Sequence, residues 1–137
     1  MPQSPKSVRS RLVELSAERS HPAIRPGCVA AFATAASGGG ERVVLLAEVD
    51  PHSVAGPDGL LAVVGAIREA VTDQHELSLD AVALLGPGGV PKTTSGKLQR
   101  HAGRTAFAAG TLDVLGQWVR LVGAAGVTVA DAPAVPR

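Results

Sequence analysis

The chain has 137 residues, 45% of them apolar and 18% charged, enough for one domain with a modest core. Aromatic residues make up only 2%, so that core must be built from Ala, Val, Leu and Ile. A net charge of +1 selects no class of partner, the single cysteine excludes a disulfide framework or a cysteine-rich zinc site, and no apolar run approaches the ~20 residues of a membrane span.

The lone Cys28 fits a reducing cytosol, and Met1 to Arg11 lacks the apolar stretch of a signal peptide. A soluble, cytoplasmic protein is expected. Charge is divided along the chain. Residues 1–80 carry seven basic and ten acidic side chains, a balance of −3, whereas residues 81–137 carry six and two, a balance of +4. A positive half suits phosphate, nucleic acid or an acidic protein.

In chain order, residues 1–6 read as loose, and Ser4-Pro5 is suited to starting a helix. Val8, Leu12 and Leu15 lie at i, i+4 and i+7, one apolar face of a helix ending near Arg19. His21-Pro22 and Pro26-Gly27 break it. Cys28 to Ala36 and Arg42 to Val49 are short apolar runs separated by Ser37-Gly38-Gly39-Gly40, which predicts a β-hairpin. After the connection Asp50 to Gly59, Asp58 is a plausible N-cap for a helix whose stripe is Leu60, Val64, Ile67 and Val71. Leu79 to Leu85 reads as a third strand. Gly86 to Gly96 is loop, a helix follows from Lys97, and Leu112, Leu115, Val119 and Val122 mark a last short helix. The expected fold is α+β, a small three-stranded sheet covered by helices, over residues 7–122, with residues 123–137 as a disordered tail.

The chemistry concentrates in Gly89-Val90-Pro91-Lys92-Thr93-Thr94-Ser95-Gly96-Lys97-Leu98-Gln99-Arg100. No acid lies between Ala81 and Leu112, so neither lysine has a partner nearby in sequence. From composition alone, such a loop is most often a solvated connector. It is not a Walker-type phosphate loop, because Pro91 stands where that motif needs glycine and Leu98 where it needs Ser or Thr. Other details favour a site. Ser95 is placed to cap a helix starting near Lys97, whose free N–H groups would favour an anion. Lys97, Arg100, His101 and Arg104 share one helix face, with Leu98, Ala102, Ala106 and Ala109 opposite. A solvated face is the plain reading for Arg100 and Arg104, whereas Lys97 stands at the junction, where a flexible loop can deliver it elsewhere. Cys28 reads as a small core residue. His21, His52, His75 and His101 lack the mutual spacing of a metal site, and Trp118 reads as an anchor of the last helix.

The run Val90 to Lys97 resembles the last motif of the acyl- and aryl-adenylate ligases. Leu98-Gln99-Arg100, Arg104, Phe107 and Gly110-Thr111-Leu112 resemble the fatty acyl-AMP ligase branch, as does His21-Pro22-Ala23-Ile24-Arg25-Pro26-Gly27-Cys28-Val29-Ala30-Ala31-Phe32. The resemblance covers about Ser7 to Arg120 and implies the small C-terminal lid domain of such a ligase. It implies Lys97 as the catalytic residue, with Lys92, Thr94, Ser95 and Gly96 as substrate- or nucleotide-binding residues and no metal ligand in this chain. Lys92 either touches nucleotide or is simply exposed. The implied cofactors are ATP and Mg2+, bound mainly by a large N-terminal ligase domain. The implied partners are that domain, a fatty acid and an acyl carrier protein.

The run Met1 to Ser7 lacks the Gly-Arg-x-Lys-Asp type hinge and short hairpin of the family, a departure that bears on the transfer step more than on adenylation. The alternative is a noncatalytic docking or regulatory module derived from such a lid. A nucleic-acid binder fits less well, because the basic half offers only Phe107 and Trp118 for stacking.

Overall fold

Strand-forming residues dominate two consecutive runs, and in the computed structural model these become Ile24–Ala35 (β1) and Glu41–Val49 (β2), paired antiparallel with Val29 opposite Ala47 and Phe32 opposite Val44. The structure describes residues 5–35, 41–54, 56–120 and 127–129. The expected hairpin is therefore present, while its loop Ser37 to Gly40 lies outside the described residues. A short 3-10 turn, Pro51–Ser53, follows β2, capped by the Asp50 carboxylate, which accepts from the His52 N–H at 3.0 Å. Helix α2 (Gly56–His75) then carries the chain back across the sheet to β3 (Ala81–Leu85), which runs parallel to β2. A parallel pair needs such a crossover.

The sheet has five strands in the order β1-β2-β3-β4-β5, where the sequence predicted three. The fourth is Val114–Arg120 (β4), antiparallel to β3, and the fifth is Val127–Val129 (β5). The last helix expected through Leu112, Leu115 and Val119 is thus a strand. Val122 and most of the expected tail lie outside the described residues, but Val127–Val129 within that tail is paired. All five residues of β3 are buried, so its far edge requires a neighbouring strand rather than a helix end. The alternation of β4 is concealed by a bulge opposite Leu84/Leu85 and by Gly116, whose Cα faces Leu60 so closely that an added Cβ would lie 3.0 Å from its Cδ1.

Two apolar layers flank the sheet. On one face, α1 (Pro5–Glu18) and α2 pack Val13, Ala17, Val63, Ile67 and Val71 against Val29, Leu45, Val82 and Trp118. The α2 stripe is close to the predicted one, with Asp58 in the first turn instead of the cap. The α1 stripe is rotated: Leu12 is 49% exposed, Val13 and Ala17 face inward, and the side chain of Val8 lies outside the described residues. On the other face, α3 (Arg100–Ala109) covers Ala30, Phe32, Val44 and Leu46. Gly103 makes that approach possible, since a Cβ there would lie 3.2 Å from Leu46 Cδ1. Phe107 meets Phe32 edge to face at 6.1 Å. Gly103 and Phe107 are the inward residues of α3, whereas Ala109, expected to face the sheet, is exposed. Among the described residues, no helix is long and apolar enough to cross a membrane.

Candidate functional site

The motif loop is a tight hairpin, and its lysine precedes the helix instead of opening it. Lys92 bridges to Leu98, the Thr93 N–H donates to the Lys97 carbonyl at 2.8 Å, and the Gly96 N–H donates to the Thr93 carbonyl at 2.9 Å. A three-residue turn of this kind needs a left-handed residue at its end, and Gly96 has φ 89°. Helix α3 begins only at Arg100, capped by Gln99 without a side-chain bond. The predicted capping by Ser95 is therefore replaced by a local contact: Ser95 Oγ lies 3.0 Å from Thr93 Oγ1, which itself accepts from the Lys97 N–H at 3.1 Å. Ser95 is spent on shaping the turn that carries Lys97. Thr94 sits exposed at the turn.

The cations of the motif have different surroundings. Lys92 is half-buried and turned towards the sheet. Its ammonium donates to Glu48 Oε2 at 2.5 Å. Glu48 lies on β2, is 1% exposed, and also accepts from the Gly88 and Val90 N–H groups at 2.9 and 3.0 Å. Arg25 approaches its other oxygen at 3.4 Å. Burial works to raise the Glu48 pKa, but the Lys92 hydrogen bond, the two backbone N–H groups and the Lys92 charge outweigh it and hold the carboxyl below its ordinary range. Burial works to lower the Lys92 pKa, and the Glu48 hydrogen bond and charge outweigh it in turn and raise it.

Arg100, read as a solvated residue, instead forks onto Glu14 of α1, with Nε to Oε2 and Nη2 to Oε1 both at 2.6 Å. Glu14 is 3% exposed and also accepts from the Ala31 N–H at 2.8 Å. This pair ties α1, β1 and α3 together. Arg104 contacts His101 at 3.0 Å on the exposed side of α3. Lys97 is exposed and has no ion-pair partner among the described residues. It lines a groove of about 380 Å³ between α1, the start of β1 and the hairpin, together with Arg11, Glu14, Glu18, Leu98 and Arg100.

The fold thus brings Lys92, Thr94, Ser95, Gly96 and Lys97 onto one hairpin but gives the two lysines different surroundings. Sequence reasoning missed Glu48 and Glu14. A signal for Glu48 existed, since it is the one acid inside the apolar run Val43–Val49. Among the described residues, no three His, Cys, Asp or Glu side chains gather as a metal site. Cys28 is buried, His75 Nε2 lies 2.8 Å from Ser16 Oγ, and Trp118 is buried on β4 with the Arg68 guanidinium 4.1 Å above its ring.

A family model described as Disco-interacting protein 2-like, AMP domain, matches residues 11–117. The chain belongs to that family of AMP domains. It is 42% identical over 119 residues to the medium-chain-fatty-acid–[acyl-carrier-protein] ligase JamA of Moorena producens, covering 87% of this chain and 20% of that protein. It is 31% identical over 122 residues to the long-chain-fatty-acid–AMP ligase FadD32 of Mycolicibacterium smegmatis, covering 73% and 19%. The fold matches a crystal structure of the fatty acid AMP ligase from Legionella pneumophila with a TM-score of 0.69 at 22% identity, over 83% of this chain and 20% of that one. These relatives fit the fatty acyl-AMP ligases of the adenylate-forming superfamily. The chain spans about a fifth of the length of the curated relatives it matches.

Proposed function

We propose that this domain is the C-terminal catalytic lid of a fatty acyl-AMP ligase and supplies Lys97 for ATP-dependent adenylation of a fatty acid. It acts with a large N-terminal ligase domain that holds ATP, Mg2+ and the acyl chain, and the acyl group passes afterwards to a carrier protein. In adenylation the fatty-acid carboxylate oxygen forms a bond to the α-phosphorus while the bond to pyrophosphate breaks. Two anions must meet, and charge builds on the phosphoryl oxygens. A cation touching both partners offsets the repulsion and fixes the line of attack. Lysine suits this as a compact point charge on a long stem.

The observation that carries the reading is the contrast within one motif. Lys92 and Arg100 are each tied to a buried carboxylate, whereas Lys97 projects from the hairpin without a counter-charge among the described residues. The test is to add the chain to a fatty acyl-AMP ligase core stripped of its own lid, with ATP, Mg2+ and a fatty acid, and to follow pyrophosphate release. Turnover is expected, and Lys97→Ala is expected to lower it about 100–1000-fold. Turnover indifferent to Lys97→Ala would sink the catalytic reading. Binding to the core without turnover would identify a docking or regulatory module instead.

A further inference from the structure

We infer that Glu48 is a positioning residue for Lys97, holding the lysine hairpin in a fixed pose from beneath; this rests on the lid reading above. β2 carries an acid where its neighbours on the same face are apolar. Val44, Leu46 and Glu48 share the face covered by α3, and the first two belong to its apolar layer. A buried carboxylate is costly, and an apolar residue of similar size would serve packing as well or better. Stability therefore does not account for an acid there. Its contacts do: beside Arg25 of β1 at 3.4 Å, both oxygens are engaged by residues 88–92, through Gly88 N–H, Val90 N–H and the Lys92 ammonium.

Those three groups are the approach to the hairpin. Lys92 is bridged to Leu98, and Lys97 lies between Leu98 and the turn. Beyond the hairpin, the Gln99 N–H closes back onto the Pro91 carbonyl at 3.0 Å. Fixing Val90 and Lys92 therefore fixes the base from which Lys97 projects. A shift of about 1 Å in a reacting group costs up to 100-fold in rate, so such a base has catalytic consequences without touching substrate. Lys92 then belongs to the clamp and not to the nucleotide contact.

Two variants test this in the full chain, Glu48→Gln and Lys92→Met, with Lys97→Ala beside them. Each is titrated against the lidless core, and pyrophosphate release is read at saturation. A lid that is merely less well folded shifts the concentration needed for half-saturation. A mispositioned lysine lowers the plateau. The expectation is a plateau about tenfold lower for both variants, with half-saturation within about twofold of the parent. In native buffer, tryptic cleavage after Lys97 should rise about tenfold while the circular dichroism spectrum is unchanged. Should Glu48→Gln fail to fold, Lys92→Met decides alone. Wild-type plateaus in the folded variants, with Lys97→Ala inactive, would overturn the positioning role and leave the lid reading intact. An active Lys97→Ala would overturn the lid reading itself, and with it any catalytic group for Glu48 to position.

Discussion

Glu48 and Lys92 show how a residue's role depends on what the fold sets beside it. The absence of acids around the motif leaves both lysines unpaired in sequence, yet Glu48 stands 44 residues before Lys92 and neutralises it. The titration of this pair has a definite sign. The Glu48 carboxyl is held below its ordinary value near 4.5. Its stabilising contribution is therefore present above that value and lost as pH falls through the folded-state value. Lys92 is raised above 10.5, so its contribution is present below that value and lost as pH rises through the folded one. Melting temperatures of wild type and Glu48→Gln should differ most near neutrality and converge as acidification carries the pH through the lowered folded-state value of Glu48. A gap that persists unchanged in acid would show that the ionised carboxylate is not what Glu48 contributes.

At the scale of elements, the fork between Arg100 and Glu14 fastens α3 to α1 across the edge of β1. Arg100→Ala would leave Glu14 buried with only the Ala31 N–H. Because 38% of the Arg100 side chain meets solvent, the cost is discounted from that of a fully buried pair to roughly 2–3 kcal/mol. The midpoint of urea denaturation measures it, and an unmoved midpoint would remove the fork from the account of how α3 is held. The hairpin, α2 and β3 are legible because their apolar patterns are nearly continuous, Glu48 being the one acid in the run Val43–Val49. The motif was legible because its residue types and spacing are unusual. The face of α1 was not, because Glu14 occupies a buried position that apolar counting rejects, and the true stripe is one step away from the apparent one. β4 was misread as a helix because a bulge and Gly116 break its alternation, leaving Leu112, Leu115 and Val119 at helical intervals by coincidence. Sequence alone puts the start of α3 three residues early, at Lys97 instead of Arg100, because the backbone bonds of the hairpin carry no sequence signature of their own.

For the molecule as a whole, both apolar layers share one sheet, and neither has a strand of its own. That arrangement predicts a single cooperative transition. Trp118, the only tryptophan, is 1% exposed in the layer under α1 and α2, so its emission should shift to the red on unfolding. Its denaturation curve is expected to coincide with the loss of far-ultraviolet dichroism. Two separate curves would mean that the α3 side opens by itself.

The two buried carboxylates also set the order in which the polypeptide matures. Glu48 is separated from Gly88, Val90 and Lys92 by 40 to 44 positions, and Glu14 from Arg100 by 86. Closing chain segments of those lengths costs about 3–4 kcal/mol beyond a constant. The early helix and first hairpin join neighbouring residues, whereas the lysine hairpin rests on a carboxylate 40 to 44 positions away, across the crossover helix and β3. A nascent or partly collapsed chain would carry the same lysine on a slack tether, so presentation of Lys97 belongs to the finished fold and serves as its last checkpoint.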